Sequence, residues 1–160
     1  MNMDSNIRVK TDRRYRSLYN ELKNFAFGDM HELFFLCVCL GYKNNRLKSL
    51  EKNGDDRFWS RTIPPDEWAC YYAIIIESNN MDFHSIMDDK EVVACMEEYA
   101  NAGMEILMEE ILSMYITGNS DEPRLDPSSS KELPKILLSF IHQQLPDFSL
   151  REPDATYSVS

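Results

Sequence analysis

One stretch of this chain limits the fold more than any other, because it is apolar on every side of a helix. Residues 33–40 read Leu-Phe-Phe-Leu-Cys-Val-Cys-Leu, and Gly41 follows them. Asp29 is a suitable N-cap, and Gly41 can take the positive φ that often ends a helix, which predicts a helix over residues 30–40. A helix without a polar face is stable only when other elements surround it. We therefore expect this helix at the centre of the core.

Four other segments carry apolar residues at spacings of three and four, the pattern of an amphipathic helix. Alternation of apolar and polar residues, which is typical of strands, is almost absent. We therefore predict an all-α fold, a single domain of about five helices with a central apolar helix and one long acidic amphipathic helix. The predicted helices cover residues 13–24, 30–40, 65–77, 89–116 and 131–145, and residues 7–10 are expected to be extended.

Composition divides the chain of 160 residues into four parts. Residues 1–116 are predicted to form the helical core domain. Residues 117–130 contain Gly118, Pro123, Pro127 and three consecutive serines, which is typical of a flexible linker. Residues 131–146 are predicted to be a C-terminal amphipathic helix, and residues 147–160 a disordered tail.

The long acidic helix carries a glycine on its apolar face. Tyr99, Gly103 and Leu107 follow one another at spacings of four on that face. A glycine inside a helix costs about 1 kcal/mol relative to alanine, so a close approach of another backbone must offset this cost. We predict that these three residues mark a helix crossing, made with the central helix or with a second copy of the chain.

Charge is distributed unevenly along the sequence. The net charge is -10, yet residues 1–62 carry 12 lysine and arginine residues against 8 aspartate and glutamate residues, and the acidic excess lies after Thr62. An acidic protein is poorly suited to binding nucleic acid without sequence preference, since phosphates require surplus cations. The N-terminal part nevertheless offers a candidate surface for DNA or an acidic partner, formed by Arg8, Lys10, Arg13, Arg14, Arg16, Lys43, Arg46 and Lys48. The alternative is solubilising charge that pairs with the acidic long helix.

No arrangement of residues in the sequence is typical of an active site. The histidines His31, His84 and His142 have no metal-binding spacing, and there is no glycine-rich phosphate loop. We expect no catalytic residue, no metal and no cofactor, and therefore no enzyme activity. Glu98, Glu105 and Glu109 share one helix flank, which could bind a cation but is more often a solvated face. The four cysteines lie in apolar runs and are expected to be reduced core thiols.

The N-terminus lacks the features of a secretion signal, and the apolar stretches are shorter than the ~20 residues that a membrane-spanning helix needs. We therefore expect a cytoplasmic protein that does not contact a membrane.

Two segments carry a family resemblance. Residues 34–44, Phe-Phe-Leu-Cys-Val-Cys-Leu-Gly-Tyr-Lys-Asn, form an apolar helix that ends in a Leu-Gly-aromatic turn before a basic loop. Residues 97–107 begin Glu-Glu-Tyr-Ala-Asn-Ala-Gly, which is similar to a Glu-Tyr-Ala-Asn-Gly-Gly pattern with Ala102 in place of one glycine. Together, over residues 7–112, they resemble the Dnd system-associated protein 4 family, found near genes for DNA phosphorothioation and phage defence. The resemblance implies a setting in defence against foreign DNA and identifies no catalytic residue.

Three functions agree with these features to different degrees. The first is a non-enzymatic accessory subunit of a prokaryotic, phosphorothioation-type anti-phage defence system that binds a partner protein, for which the acidic excess after Thr62 suits a basic partner. The second is a homo-oligomeric DNA-binding regulator that uses the basic N-terminal segment. The third, and the least favoured, is a metal-dependent nuclease built on clustered carboxylates.

Overall fold

Five α-helices form the body of the protein in a computed structural model that describes residues 6–51 and 54–145. They are α1 (Arg16–Phe25), α2 (Met30–Lys43), α3 (Pro65–Ser78), α4 (Asp89–Leu107) and α5 (Leu133–Gln144). Two small antiparallel sheets accompany them. The first pairs β1 (Arg8–Thr11) with β2 (Asp55–Trp59), and the second pairs β3 (Ile116–Thr117) with β4 (Arg124–Leu125). The domain is mostly helical as predicted, but it is not strictly all-α.

The apolar helix α2 is central, and it packs more extensively on α4 than on any other element. Leu33, Cys37 and Val38 are fully buried. The helix runs three residues beyond its predicted end, so Gly41 lies inside it and does not terminate it. The chain instead reverses at Asn45, whose φ of 52° lies in the left-handed region that asparagine tolerates.

The two glycines of α2 and α4 allow these helices to approach at backbone distance. A Cβ built at residue 103 would overlap the carbonyl oxygen of Cys37, and one at residue 41 would lie 2.9 Å from the carbonyl carbon of Tyr99. Leu107 is fully buried one turn further along α4. The backbone that lies against Gly103 therefore belongs to α2 of the same chain.

The first sheet closes one side of the core. In β1, Val9 and Thr11 are buried while Arg8 and Lys10 are exposed, so the strand alternates as a half-buried strand should. Val9 pairs with Phe58 of β2, whose ring lies edge-on to Phe34 of α2 at 5.3 Å between centroids. The sheet thus anchors the N-terminal segment on the central helix.

The long helix ends earlier than its apolar spacing predicts. A wider π-helical turn over Met108–Leu112 follows α4 at Leu107. Leu112 is fully buried, whereas Met114 is 87% exposed. The predicted helix over residues 89–116 is therefore a helix, a π-turn and the short strand β3.

The segment predicted as a flexible linker, residues 117–130, contains the end of β3, all of β4 and most of a 3-10 turn at Pro127–Lys131. Asp126 caps that turn by accepting a hydrogen bond from the backbone N–H of Ser128 at 3.0 Å. Leu125 is 3% exposed, and its backbone N–H donates to the Glu21 carboxylate of α1 at 2.6 Å. The segment is thus joined to α1 by a buried side chain and a charged hydrogen bond. The predicted tail, residues 147–160, lies outside the described residues.

No single helix in residues 6–51 and 54–145 is long and apolar enough to cross a membrane. Arg13–Phe25 and Met30–Lys43 reach the required length and composition only as a pair, and the two are bent by 115° relative to each other.

Candidate functional site

The loop that follows α2 lies across α4, and a buried amide holds it there. The backbone N–H of Lys48 donates to the carbonyl oxygen of Glu98 at 3.1 Å. The Asn101 side chain, which is 1% exposed, donates from Nδ2 to the carbonyl oxygens of Lys48 and Ser49, each at 3.3 Å. A buried amide needs such partners, because an unpaired polar group is costly away from water. Asn101 therefore ties the basic loop to the acidic helix.

The two cations of this loop are paired with carboxylates of α4. Lys48 Nζ lies 2.6 Å from Glu105 Oε2, and Arg46 lies 3.1 Å from Glu105 and 3.5 Å from Glu109. The hydrogen bond from Lys48, followed by the charges of Lys48 and Arg46, lowers the pKa of Glu105 despite some desolvation. The sequence analysis left open whether the α4 flank of Glu98, Glu105 and Glu109 binds a cation or faces solvent. In the structure, this flank contacts the protein's own basic loop.

The N-terminal cations are held in a similar way. Arg16 forms two hydrogen bonds with the Asp55 carboxylate, at 2.6 and 2.5 Å, and Arg57 contacts the same carboxylate at 2.7 Å. The hydrogen bond from Arg16 is the main reason that the pKa of Asp55 falls to about 2. Arg8 lies 3.8 Å from Asp56, with its guanidinium 4.0 Å from the centre of the Trp59 ring. This arrangement joins β1, β2 and α1 through charge.

The four remaining cations of the predicted surface differ in their surroundings. Arg14 donates to the carbonyl oxygen of Ser120 at 2.6 Å, and Lys43 donates to that of Gln144 at 2.9 Å. Lys10 and Arg13 are exposed. Within the described part of the chain, neither of these two side chains makes an ion pair or a hydrogen bond. Two of the eight predicted residues therefore present a cation without a partner among these residues.

A surface cleft brings three of the predicted cations together with acidic groups. Arg13, Arg14 and Arg16 are among the residues that line it. The acidic residues that share the cleft are Asp12, Glu51, Asp121 and Glu122. A phosphate in this cleft would meet four acidic residues against three arginines. The cleft is therefore poorly suited to a polyanion.

Glu97 is a titratable group that the sequence analysis did not single out. Its Oε2 accepts a hydrogen bond from the backbone N–H of Lys10 at 2.8 Å, where β1 meets α4. Desolvation raises the pKa of Glu97 to about 7, although the hydrogen bond and charge of Lys10 lower it. The sequence around Glu97 could not indicate this raised pKa, because Lys10 of the strand that covers Glu97 lies 87 residues away in sequence.

A histidine–carboxylate group lies at the start of α2. His31 Nδ1 is 3.1 Å from both carboxylate oxygens of Glu67 in α3, and its Nε2 is 3.7 Å from Asp29. Donor atoms of Asp29, His31 and Glu32 lie within 4.8 Å of one another. Asp29 and Glu32 are exposed, and exposed acidic groups of this kind are common without an ion. The spacing of the histidines in the sequence did not indicate the contact between His31 and Glu67, because Glu67 comes from another helix.

Burial favours the protonated form of the two cysteines of α2. Burial raises the pKa of Cys37 to about 12 and that of Cys39 to about 11, so both are thiols at neutral pH. Cys70 of α3 is exposed, unlike the core residue that its apolar surroundings in the sequence predicted.

Comparison with known proteins gives one result. The sequence matches the family described as DNA sulphur modification system-associated protein 4 over residues 7–117, which includes β1, the four helices α1–α4 and the loop that binds α4. Neither a search of curated proteins nor a search of solved structures found a match. The match covers well over half of the chain and confirms the resemblance of its two motifs. The chain therefore belongs to the DNA sulphur modification system-associated protein 4 family.

Proposed function

We propose that this protein is a non-enzymatic accessory subunit of a DNA sulphur modification system, which acts in defence against foreign DNA by binding a partner protein. Family membership supports association with such a system. The matched region contains the buried α2–α4 crossing and the loop anchored by Asn101, which are features of packing and not of catalysis.

The internal ion pairs of the predicted basic surface are the main support for a partner that is a protein and not DNA. Arg16, Arg46 and Lys48 each contact a carboxylate of the same chain within 3.1 Å. DNA would have to displace these carboxylates before it could use the cations, and it would meet a chain with a net charge of -10. A basic protein meets no such obstacle, because the acidic excess after Thr62 attracts it.

The test is affinity purification of the tagged full-length chain from its native host, with DNase present to remove indirect bridging by DNA. We expect a protein of the DNA sulphur modification system to be recovered in a fixed ratio to the chain. A matched control is the tag alone in the same cells. The proposal fails if no protein of the system is recovered, both from the host and after co-expression of the chain with the system's proteins.

The alternative, a homo-oligomeric DNA-binding regulator, rests on Lys10 and Arg13, the two exposed N-terminal cations of the predicted surface whose side chains make no ion pair within residues 6–51 and 54–145. Two cations offer few phosphate contacts, so any binding through them would be weak and strongly dependent on salt.

A further inference from the structure

The connection between α3 and α4 exposes three large apolar side chains. Met81 is 61% exposed, Phe83 65% and Met87 79%. Single exposed apolar residues are ordinary, but three within seven residues concentrate exposed apolar surface in one short segment. We call residues 79–88 the α3–α4 connector.

The connector exposes these side chains on a well-bonded backbone. The N–H of Met81 donates to the carbonyl oxygen of Ile76 at 2.8 Å, which continues the end of α3. Asp82 accepts from the N–H of His84 at 2.9 Å, and its carbonyl oxygen accepts from the Ser85 hydroxyl at 2.5 Å. Ile86 packs against the core. Because the backbone is fixed at these points, little conformational freedom is left for a partner to remove on binding.

Backbone strain is stored at the first of the exposed side chains. Asn80 and Met81 have φ values of 55° and 65°, both in the left-handed region. Asparagine tolerates this region, whereas methionine adopts it rarely. The hydrogen bonds of Asn79 to Ile75, from its backbone N–H at 3.1 Å and its side chain at 2.8 Å, help to fix the turn. Observed strain of this kind clusters at binding and catalytic sites.

The surroundings of the exposed cluster are acidic. Residues 77–91 contain five acidic residues and one lysine, which are Glu77, Asp82, Asp88, Asp89, Glu91 and Lys90. All of the acidic residues except Asp89 are exposed. An apolar centre with a charged rim is the usual composition of a protein interface. A complementary surface would carry an apolar pocket with lysine and arginine side chains around it.

We propose that Met81, Phe83 and Met87 form a docking surface for a partner protein with an apolar pocket rimmed by basic side chains. The proposal rests on the proposed function and names the surface by which that function is carried out. A symmetric contact with a second copy of the chain is disfavoured, because it would place one acidic connector against another.

The experiment compares the full-length chain with two single variants, Phe83→Ala and Met87→Ala. Each is titrated against the purified proteins of the DNA sulphur modification system, one at a time, by isothermal titration calorimetry. Truncation of a central apolar anchor is expected to weaken binding about tenfold. Leu138→Ala is the matched control, since Leu138 is 69% exposed on α5, and it should leave the affinity unchanged. Melting temperatures check that the variants remain folded.

A second pair of variants tests the charged rim. Glu77→Gln and Glu91→Gln remove exposed carboxylates that cap no helix in the structure. Their combination is expected to slow association several-fold at low salt, with little effect at high salt, where rim charges are screened.

The outcomes separate the surface from the function. If a protein of the system binds the wild type and both connector variants equally well, the docking surface is wrong while the proposed function stands. If no protein of the system binds the wild type, the proposed function and the surface both fail. If the connector variants instead reduce the mass of the chain in sedimentation, the occupant is a second copy and the basic partner is wrong.

Discussion

At the scale of single residues, Gly103 determines how closely α2 and α4 can pack. A Cβ at this position would overlap the carbonyl oxygen of Cys37 and lie 2.8 Å from its Cα. Gly103→Ala gains up to about 1 kcal/mol in helix propensity, but overpacking against a backbone that cannot rotate away costs typically 1–3 kcal/mol or more. We expect net destabilisation, measured as a melting temperature lower by roughly 2–8 °C.

Gly28→Ala is the control for this variant, because a Cβ there would meet only the end of the Glu32 side chain, at 3.8 Å. We expect no drop in its melting temperature. If Gly103→Ala melts at or above the wild type, the helices can separate without cost and the close crossing does not limit stability.

Glu97 couples stability to pH near neutrality. Its folded-state pKa of about 7 lies above the usual value of 4.5, so the folded protein holds this proton more tightly than the unfolded chain does. The stability from this group is complete below about pH 4.5 and is lost as the pH rises through about 7. Glu97→Gln keeps an acceptor for the Lys10 N–H but remains neutral. We therefore expect equal melting temperatures at pH 5 and a more stable variant at pH 8.

The difference in melting temperature between Glu97→Gln and the wild type should grow between pH 5 and pH 8. A constant difference over this range would show that the carboxyl titrates as it does in water. Glu110, an exposed carboxylate that is not among the groups shifting the pKa of Glu97, provides the control variant Glu110→Gln. That variant should depend on pH much as the wild type does.

At the scale of elements, Leu125 tests whether residues 117–130 are part of the folded domain. The side chain is 3% exposed, and truncation of a buried leucine typically costs 2–5 kcal/mol. We expect Leu125→Ala to lower the free energy of unfolding by an amount in this range, measured by urea denaturation. Leu138→Ala, at an exposed position of α5, should change it by less than about 0.5 kcal/mol. Equal stability of both variants would mean that the segment is a linker after all.

The helices could be predicted from sequence because their signals are local. The apolar run of α2 and the three-and-four spacing of α4 each lie within one element, and so does the glycine that marks their crossing. The sheet of β1 and β2 could not be predicted, because its strands are distant in sequence. Val9 pairs with Phe58, and nothing in either short strand identifies the other as its partner. Glycine, proline and serine in residues 117–130 suggested a linker, but the same residue types form tight turns. The ion pairs of Glu105 with Arg46 and Lys48 also depend on the tertiary fold.

At the scale of the whole molecule, folding brings the basic and acidic parts of the chain together. Arg46 and Lys48 of the N-terminal part contact Glu105 of α4, and in the opposite sense Arg124 lies 3.4 Å from Glu21 of α1. Part of the charge separated along the sequence is therefore paired in space. The surface that the sequence offered for DNA is largely used to hold the protein together.

This internal pairing leads to a prediction about DNA. Binding without sequence preference has a dissociation constant of 10⁻⁴–10⁻⁶ M when several cations face phosphates, a condition that the paired surface does not meet. We expect no saturable binding of a fluorescent 20-base-pair duplex, roughly two helical turns, to about 10 μM of the wild-type protein at 50 mM salt, measured by anisotropy.

The double variant Glu105→Gln and Glu109→Gln makes this prediction discriminating. It removes the carboxylates that hold Arg46 and Lys48, which would then be free to face phosphates. We expect the variant to gain weak binding that disappears between 50 and 200 mM salt, because released counterions drive such contacts. If the wild type itself binds the duplex with a steep dependence on salt, Lys10→Ala and Arg13→Ala identify whether the exposed N-terminal cations are responsible. That result would favour the function of a DNA-binding regulator over that of an accessory subunit, because it would show that the internal ion pairs do not prevent contact with phosphates.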